Sequence, residues 1–229
     1  MKLVVKIGGS LLLDKEGNIK VAEIREIAKN IELLLKEGHE IVIVVGGGTE
    51  ARKYITAMRA LGASEGYCDD IGIRISRCNA RLLISALKGL VHPIPPRTFE
   101  EALQAFSTRR IVVLGGLIPG QSTNAVAAIV AELIGANILI NVTDVDGVYT
   151  DDPYKNPDAK KFDEITTTQF YELINKPDAN NAGKYELFDF LALKIIERSK
   201  IYTHFISGKN PENIVKVVKG EKIGTRIVF

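Results

Sequence analysis

Short apolar runs rich in β-branched residues recur along this chain, and glycines stand directly behind most of them. Lys2–Ile7, Ile41–Val45, Ile111–Leu114 and Ile138–Val142 read as buried strands. Gly8-Gly9-Ser10 follows the first and Gly46-Gly47-Gly48 the second. Gly115, Gly116 and Gly120 follow the third, and a polar loop from Thr143 to Asp152 follows the fourth. Between them the period lengthens. Apolar residues at 24, 27, 28, 31, 34 and 35 predict an amphipathic helix over Val21–Lys36, closed by Gly38. Further helices are predicted after Thr49, over Asp69–Leu87, over Phe99–Phe106, and behind Ser122 and Thr123, which stand at a cap. The order reads β-α-β-α-α-(β)-α-β-α-β, the bracketed strand being optional. Such alternation predicts a largely parallel sheet covered by helices on both faces.

Beyond Asp152 the pattern is more polar. Asp158–Asp163 is expected to form a strand or hairpin arm, and Thr166 to cap a short helix ending at Ile174. Lys176–Lys184 is the clearest loop. Glu186–Ser199 reads as a helix, Tyr202–Ile206 as a strand, Pro211 as a helix start, and Thr225–Phe229 as a last strand.

Composition narrows the class without choosing a function. The 229 residues suit one large α/β domain, here expected to divide into lobes at about residue 135. Hydrophobic residues make up 46% and charged residues 25%, enough for a sizeable core. A formal net charge of +2 gives no global bias toward nucleic acid or acidic membranes, so any phosphate affinity must be local. Cys68 and Cys78 have no second pair to complete a metal site, and His39, His92 and His204 lack ligand spacing. With no signal peptide and no membrane span in the pattern, a cytoplasmic protein is expected.

The chemistry is expected at the glycine turns. In open α/β sheets ligands gather at the carboxyl ends of strands. A triple glycine before a helix is explained by an anion approaching the backbone at the helix N-terminus. Backbone N–H groups of Gly8–Gly9 and Gly46–Gly48 are expected to face phosphate, with Arg52 one turn into the second helix. Lys6 is either a strand-end lysine reaching solvent or a cation aimed at phosphate. Asp69 is either an acid suited to a helix start or a carboxylate for two ribose hydroxyls. Neither a Walker A motif nor a complete dinucleotide fingerprint is present, since Ala51 stands where a third glycine is needed.

Six segments in order resemble the amino acid kinase family, and within it the archaeal-type uridylate kinases. They are KIGGS (Lys6–Ser10), VVGGGTEAR (Val44–Arg52), DDIGIRISRCNARLL (Asp69–Leu83), GGLIPGQSTNAVAA (Gly115–Ala128), TDVDGVYTDDP (Thr143–Pro153) and AGKYELFDFLALKIIERS (Ala182–Ser199). The resemblance implies an α/β/α sandwich with a mainly parallel eight-stranded sheet, an acceptor lobe and an ATP lobe. It implies ATP and UMP as substrates, Mg²⁺, and a homohexamer. By the same resemblance Lys6, Gly8, Gly9 and Ser10 match the first phosphate turn, and Gly48 and Arg52 match contacts around the transferred phosphate. Gly47, Asp69, Leu117, Ile118, Pro119, Gly120, Gln121, Ser122 and Thr123 match the UMP site. Thr143, Asp144, Tyr149 and Asp152 match the adenosine pocket, and Lys194 resembles a second cation.

One position departs. The family motif reads S-T-D-x-x-A-A, and here the acid is Asn124, which keeps a hydrogen bond but no charge. Loss of a charge-assisted bond is worth about 1–3 kcal/mol, or roughly tenfold to a hundredfold in rate. Two alternatives follow: a weak or inactive nucleotide-binding homologue, and a kinase of the same fold for another acceptor such as isopentenyl phosphate.

Overall fold

A computed structural model describes residues 1–174 and 188–229. The strands are β1 (Lys2–Ile7), β2 (Glu40–Val45), β3 (Ile111–Leu114), β4 (Ile138–Thr143), β5 (Glu164–Thr166), β6 (Tyr202–Ser207) and β7 (Thr225–Val228). The helices are α1 (Val21–Lys36), α2 (Gly48–Ala60), α3 (Glu65–Ala86), α4 (Phe99–Thr108), α5 (Thr123–Ile134), α6 (Thr167–Ile174), α7 (Phe190–Ser199) and α8 (Asn213–Val218).

The strands form one sheet in the order β3-β2-β1-β4-β6-β7-β5. The five from β3 to β6 run parallel, and only the β6–β7 pair is antiparallel. The expected α/β/α architecture holds. The count does not: among the described residues the sheet has seven strands, not eight. No strand forms between Leu87 and Phe99, where the optional one was bracketed, because three prolines there remove ladder donors. The expected arm at 158–163 shrinks to one antiparallel bridge, Tyr149 to Lys161, with β5 forming just beyond it. The predicted loop at 176–184 and the start expected at Glu186 lie outside the described residues.

Strand alternation sends successive side chains to opposite faces. Leu3, Val5 and Ile7 join α1, α3 and α8 in one core. Val4, Val42, Val44 and Leu139 join α4, α5, α6 and α7 in the other. Lys6 and Asn141, paired in the β1–β4 register, point to the second side, where α5 lies over the sheet. A Phe170–Phe188–Phe205 cluster fills that core below α7, with edge-to-face ring centroids at 5.2 and 5.6 Å. Thr166 does cap α6, in a reciprocal pair: its Oγ1 accepts from the Gln169 N–H at 3.2 Å, and Gln169 Oε1 accepts from the Thr166 N–H at 3.0 Å.

Candidate active site

Because β3, β2, β1 and β4 are adjacent and parallel, the four loops singled out in the sequence open on one edge of the sheet. The turns after β1 and β2 interlock. The Gly8 N–H donates to Val142 O at 3.0 Å and the Gly46 N–H to Ile7 O at 2.9 Å. These two donors extend the strand ladders, so they are not available to phosphate, contrary to the sequence expectation. The N–H groups of Gly47 and Gly48 lie instead at the N-terminus of α2, where no intrahelical acceptor exists. Gly48 has φ +68°, a left-handed conformation. Gly9 packs so closely that a Cβ there would lie 2.6 Å from Gly46 O. Only glycine fits either place. Arg52 is exposed on the next turn of α2.

Helix α3 holds the loops after β2 and β3 in place. It starts at Glu65, so Asp69 lies beyond its first turn and is not the start acid that the sequence suggested. Instead Asp69 Oδ2 accepts from the Gly120 N–H at 2.7 Å. Ser76 Oγ accepts from the Gly116 N–H at 2.7 Å, and Arg77 Nε donates to Gly116 O at 3.2 Å. Asn79, buried, donates through Nδ2 to Gly46 O at 2.9 Å and Gly47 O at 3.1 Å. One helix thus fixes both the triple glycine and the loop containing Leu117, Ile118, Pro119, Gly120 and Gln121. Gly115 permits this contact, since a Cβ there would lie 2.7 Å from the Arg77 backbone nitrogen.

The N-terminus of α5 enters the same space. Ser122 Oγ caps it, accepting from the Asn124 and Ala125 N–H groups at 3.0 Å each. Thr123 Oγ1 lies beside Gly46. Asn141 Nδ2 donates to Asn124 Oδ1 at 3.3 Å, so Asn124 is tied to the residue next to Lys6. Ser122 also hydrogen-bonds the Asp189 carboxylate, which caps α7 by accepting from the Ala192 N–H at 2.9 Å. The positive ends of α2, α5 and α7 suit an anion.

Lys6 supplies the full charge. Burial pushes its ammonium down from the usual 10.5 to about 8, against the opposing pull of the Asp144 and Asp189 carboxylates. The fourth loop is braced from below. The Val148 N–H donates to Thr225 Oγ1 at 2.8 Å, and Thr143 Oγ1 accepts from the Val145 N–H at 3.1 Å. The Tyr149 hydroxyl donates to Asp146 at 2.6 Å, a bond that raises the phenol to about 12. Asp152 Oδ1 accepts from the Tyr154 N–H at 3.0 Å, and Tyr154 Oη reaches Asp144 O at 3.3 Å.

Lys194 is exposed on the second turn of α7, whose buried face is Ala192, Leu193, Ile195 and Ile196. Asn79 and Asp189 are the two residues that sequence reasoning missed. Asn79 was visible only as a polar position between the buried Ser76 and Leu83, and Asp189 only as an N-cap residue before an apolar helix.

The sequence model of the amino acid kinase family matches residues 1–207. The chain is 47% identical over 228 residues to the uridylate kinase of Methanobrevibacter smithii, covering 100% of this chain and 99% of that one. It is 46% identical over 227 residues to the uridylate kinase of Archaeoglobus fulgidus, covering 99% and 100%. The crystal structure of uridylate kinase from Archaeoglobus fulgidus superposes with a TM-score of 0.87 at 45% identity, covering 100% of both chains. That of UMP kinase from Bacillus anthracis gives 0.82 at 22% identity, covering 99% and 95%, a likeness of fold alone.

Proposed function

The chain belongs to the amino acid kinase family, and on that premise we propose that it is a UMP kinase, transferring the γ-phosphate of ATP to UMP to give UDP and ADP, a step of pyrimidine nucleotide synthesis. The observation that carries the acceptor assignment is the set of contacts from α3. Asp69 is bonded to the Gly120 loop while Asn79 holds the triple glycine. A ribose carboxylate and a phosphate turn are thereby held on one rigid element, as a nucleoside monophosphate requires. The full-length relatives give no support to an inactive storage homologue or to isopentenyl phosphate as acceptor.

The chemistry asks little covalent work of the protein. A UMP phosphate oxygen attacks the γ-phosphorus, that P–O bond forms, and the bond to the β,γ-bridging oxygen breaks. The UMP phosphate is already ionised near neutrality, with a second pKa of about 6, so no general base is needed. Catalysis is alignment and charge neutralisation. Lys6, Gly9 and Ser10 serve the donor side, Gly47 contacts UMP, and Gly48 and Arg52 neutralise the transferred phosphate. The α5 N-terminus, with Thr123 and Asn124, faces the transferred group. Leu117, Ile118, Pro119, Gly120, Gln121 and Ser122 enclose UMP. Thr143, Asp144, Tyr149 and Asp152 enclose the adenosine, and Lys194 is a second cation.

No three His, Cys, Asp or Glu side chains among the described residues cluster in a way that would hold a metal ion. Mg²⁺ enters this reading as part of the MgATP substrate, held by phosphate and water and offsetting their charge. Among the described residues no helix is long and apolar enough to cross a membrane. A cytoplasmic homohexamer, each chain one domain with an acceptor lobe to about residue 135 and an ATP lobe beyond it, completes the proposal.

A coupled ADP-release assay with MgATP and a panel of acceptors tests it. UMP should be the preferred acceptor, and turnover with isopentenyl phosphate or CMP but none with UMP would overturn the assignment. Asp69→Ala should raise the UMP KM by roughly tenfold to a hundredfold, the worth of a charged hydrogen bond, with little change in kcat. A lower kcat at unchanged KM would contradict the ribose role.

A further inference from the structure

Asn124 at the start of α5 carries no charge, yet Lys6 is not left without carboxylates. Asn141 is the β4 neighbour of Lys6 in the sheet and donates to Asn124. Asn124 sits in the first turn of α5, whose cap Ser122 bonds Asp189. Asp189 stands at the N-terminus of α7, which packs along α5 in the same core. Asn141, Asn124, Ser122 and Asp189 thus form one hydrogen-bonded path on the α5 side of the sheet, beginning at the β4 neighbour of Lys6.

We propose that Asp189 is a positioning residue for Lys6: reaching the site across the Ser122 bridge between α5 and α7, its carboxylate supplies the negative charge that Asn124 does not. The proposal rests on the UMP kinase reading for its kinetic consequence but not for its electrostatic one. In the free protein the Asp144 and then the Asp189 carboxylate act against the lowering of the Lys6 ammonium by burial. Asp144 is exposed and carried by the ATP loop, so its charge moves with the donor site. Asp189 is fixed by two hydrogen bonds, one to each helix N-terminus, and gives Lys6 a stationary partner. An asparagine at 124 then avoids placing a second fixed carboxylate beside the transferred phosphate, where like charge is unfavourable.

A purely structural role for Asp189 as the α7 cap makes a different prediction. Asparagine caps a helix about as well as aspartate, so Asp189→Asn keeps the cap and removes the charge. The measurement is the titration of the Lys6 side chain, followed by NMR in protein labelled with ¹³C-lysine, its Cε resonance assigned by its loss in Lys6→Arg. Asp189→Asn should lower the Lys6 midpoint by about one pH unit, the size of effect of a nearby opposite charge. Asn124→Asp, which leaves the α7 cap intact, should raise it, and the double variant should return it close to the parent value. In steady-state assays with UMP, Asp189→Asn should lower kcat about tenfold with both KM values within about twofold, and Asn124→Asp should restore most of that loss. An unmoved Lys6 midpoint in Asp189→Asn overturns the proposal, whatever happens to kcat, as does a change confined to melting temperature. If the parent protein fails to phosphorylate UMP while the midpoint still shifts as stated, the functional reading fails and the Asp189–Lys6 coupling stands.

Discussion

Replacing Lys6 with methionine is expected to lower kcat by roughly a thousandfold, the order of loss when a preorganised charge-stabilising group is removed from a transition state. The same change should leave the protein at least as stable as the parent at pH 7. The two expectations have one cause. An ammonium pushed from 10.5 to about 8 carries a burial penalty on the order of 3 kcal/mol in its charged form. The unfolded chain holds that proton more tightly than the folded one. The penalty is therefore fully present below about pH 8, and stability from this group rises as pH climbs from about 8 to 10.5. Methionine is of similar length and avoids the penalty throughout. Thermal melts across this range, set beside kcat, separate the site from the scaffold: a large drop in melting temperature at pH 7 would mean that Lys6 serves the fold. In the parent enzyme kcat/KM should decline above about pH 8, where free Lys6 loses its proton.

Gly48→Ala should be nearly as damaging by another route. The site has φ +68°, and a Cβ there would lie 2.7 Å from the Gly9 carbonyl carbon. Left-handed backbone costs a non-glycine residue about 1–3 kcal/mol, and the collision must be relieved by separating two turns that interlock. A shift of about 1 Å in a catalytic turn can cost a hundredfold in rate. Folded Gly48→Ala protein is thus expected to show kcat/KM down by about two orders of magnitude and a lower melting temperature. Gly62 is the matching control. Its φ is +85° but a Cβ would meet nothing within 4 Å, so Gly62→Ala should cost about 1 kcal/mol of stability and no activity. Equal kinetic losses in the two variants would discredit the interlock as the cause.

The strands and helices that carry the site were legible because their periods are strong. Val21–Lys36 begins and ends where its apolar spacing said, and four glycine or polar loops fell after four apolar runs that proved adjacent and parallel. What could not be read locally were long-range pairings. Asp69 looked like a helix-start acid because Ser64 and Glu65, the true start, carry no apolar periodicity. Its partner Gly120 is 51 positions away. Asn79 reaches glycines more than 30 positions behind it, and Asp189 meets Ser122 across 67 positions. Gly8 and Gly46 resemble their neighbours in sequence, but parallel register commits their N–H groups to the sheet. The eighth strand came from family likeness, and no apolar run in the described residues supplied it.

The grip of α3 on the turns after β2 and β3 has a mechanical consequence. Asp69, Ser76, Arg77 and Asn79 lie along nearly three turns of one helix and clamp backbone at Gly120, Gly116, Gly46 and Gly47. A rotation or slide of that helix cannot move one turn and spare the other. The Gly116–Gly120 loop and the triple glycine share a single degree of freedom, and α3 behaves as a common axle. Tuning the distance between them is thus a matter of side-chain length on this helix, set at four positions, Ser76 and Asn79 of them buried, well removed from the loops' own sequences.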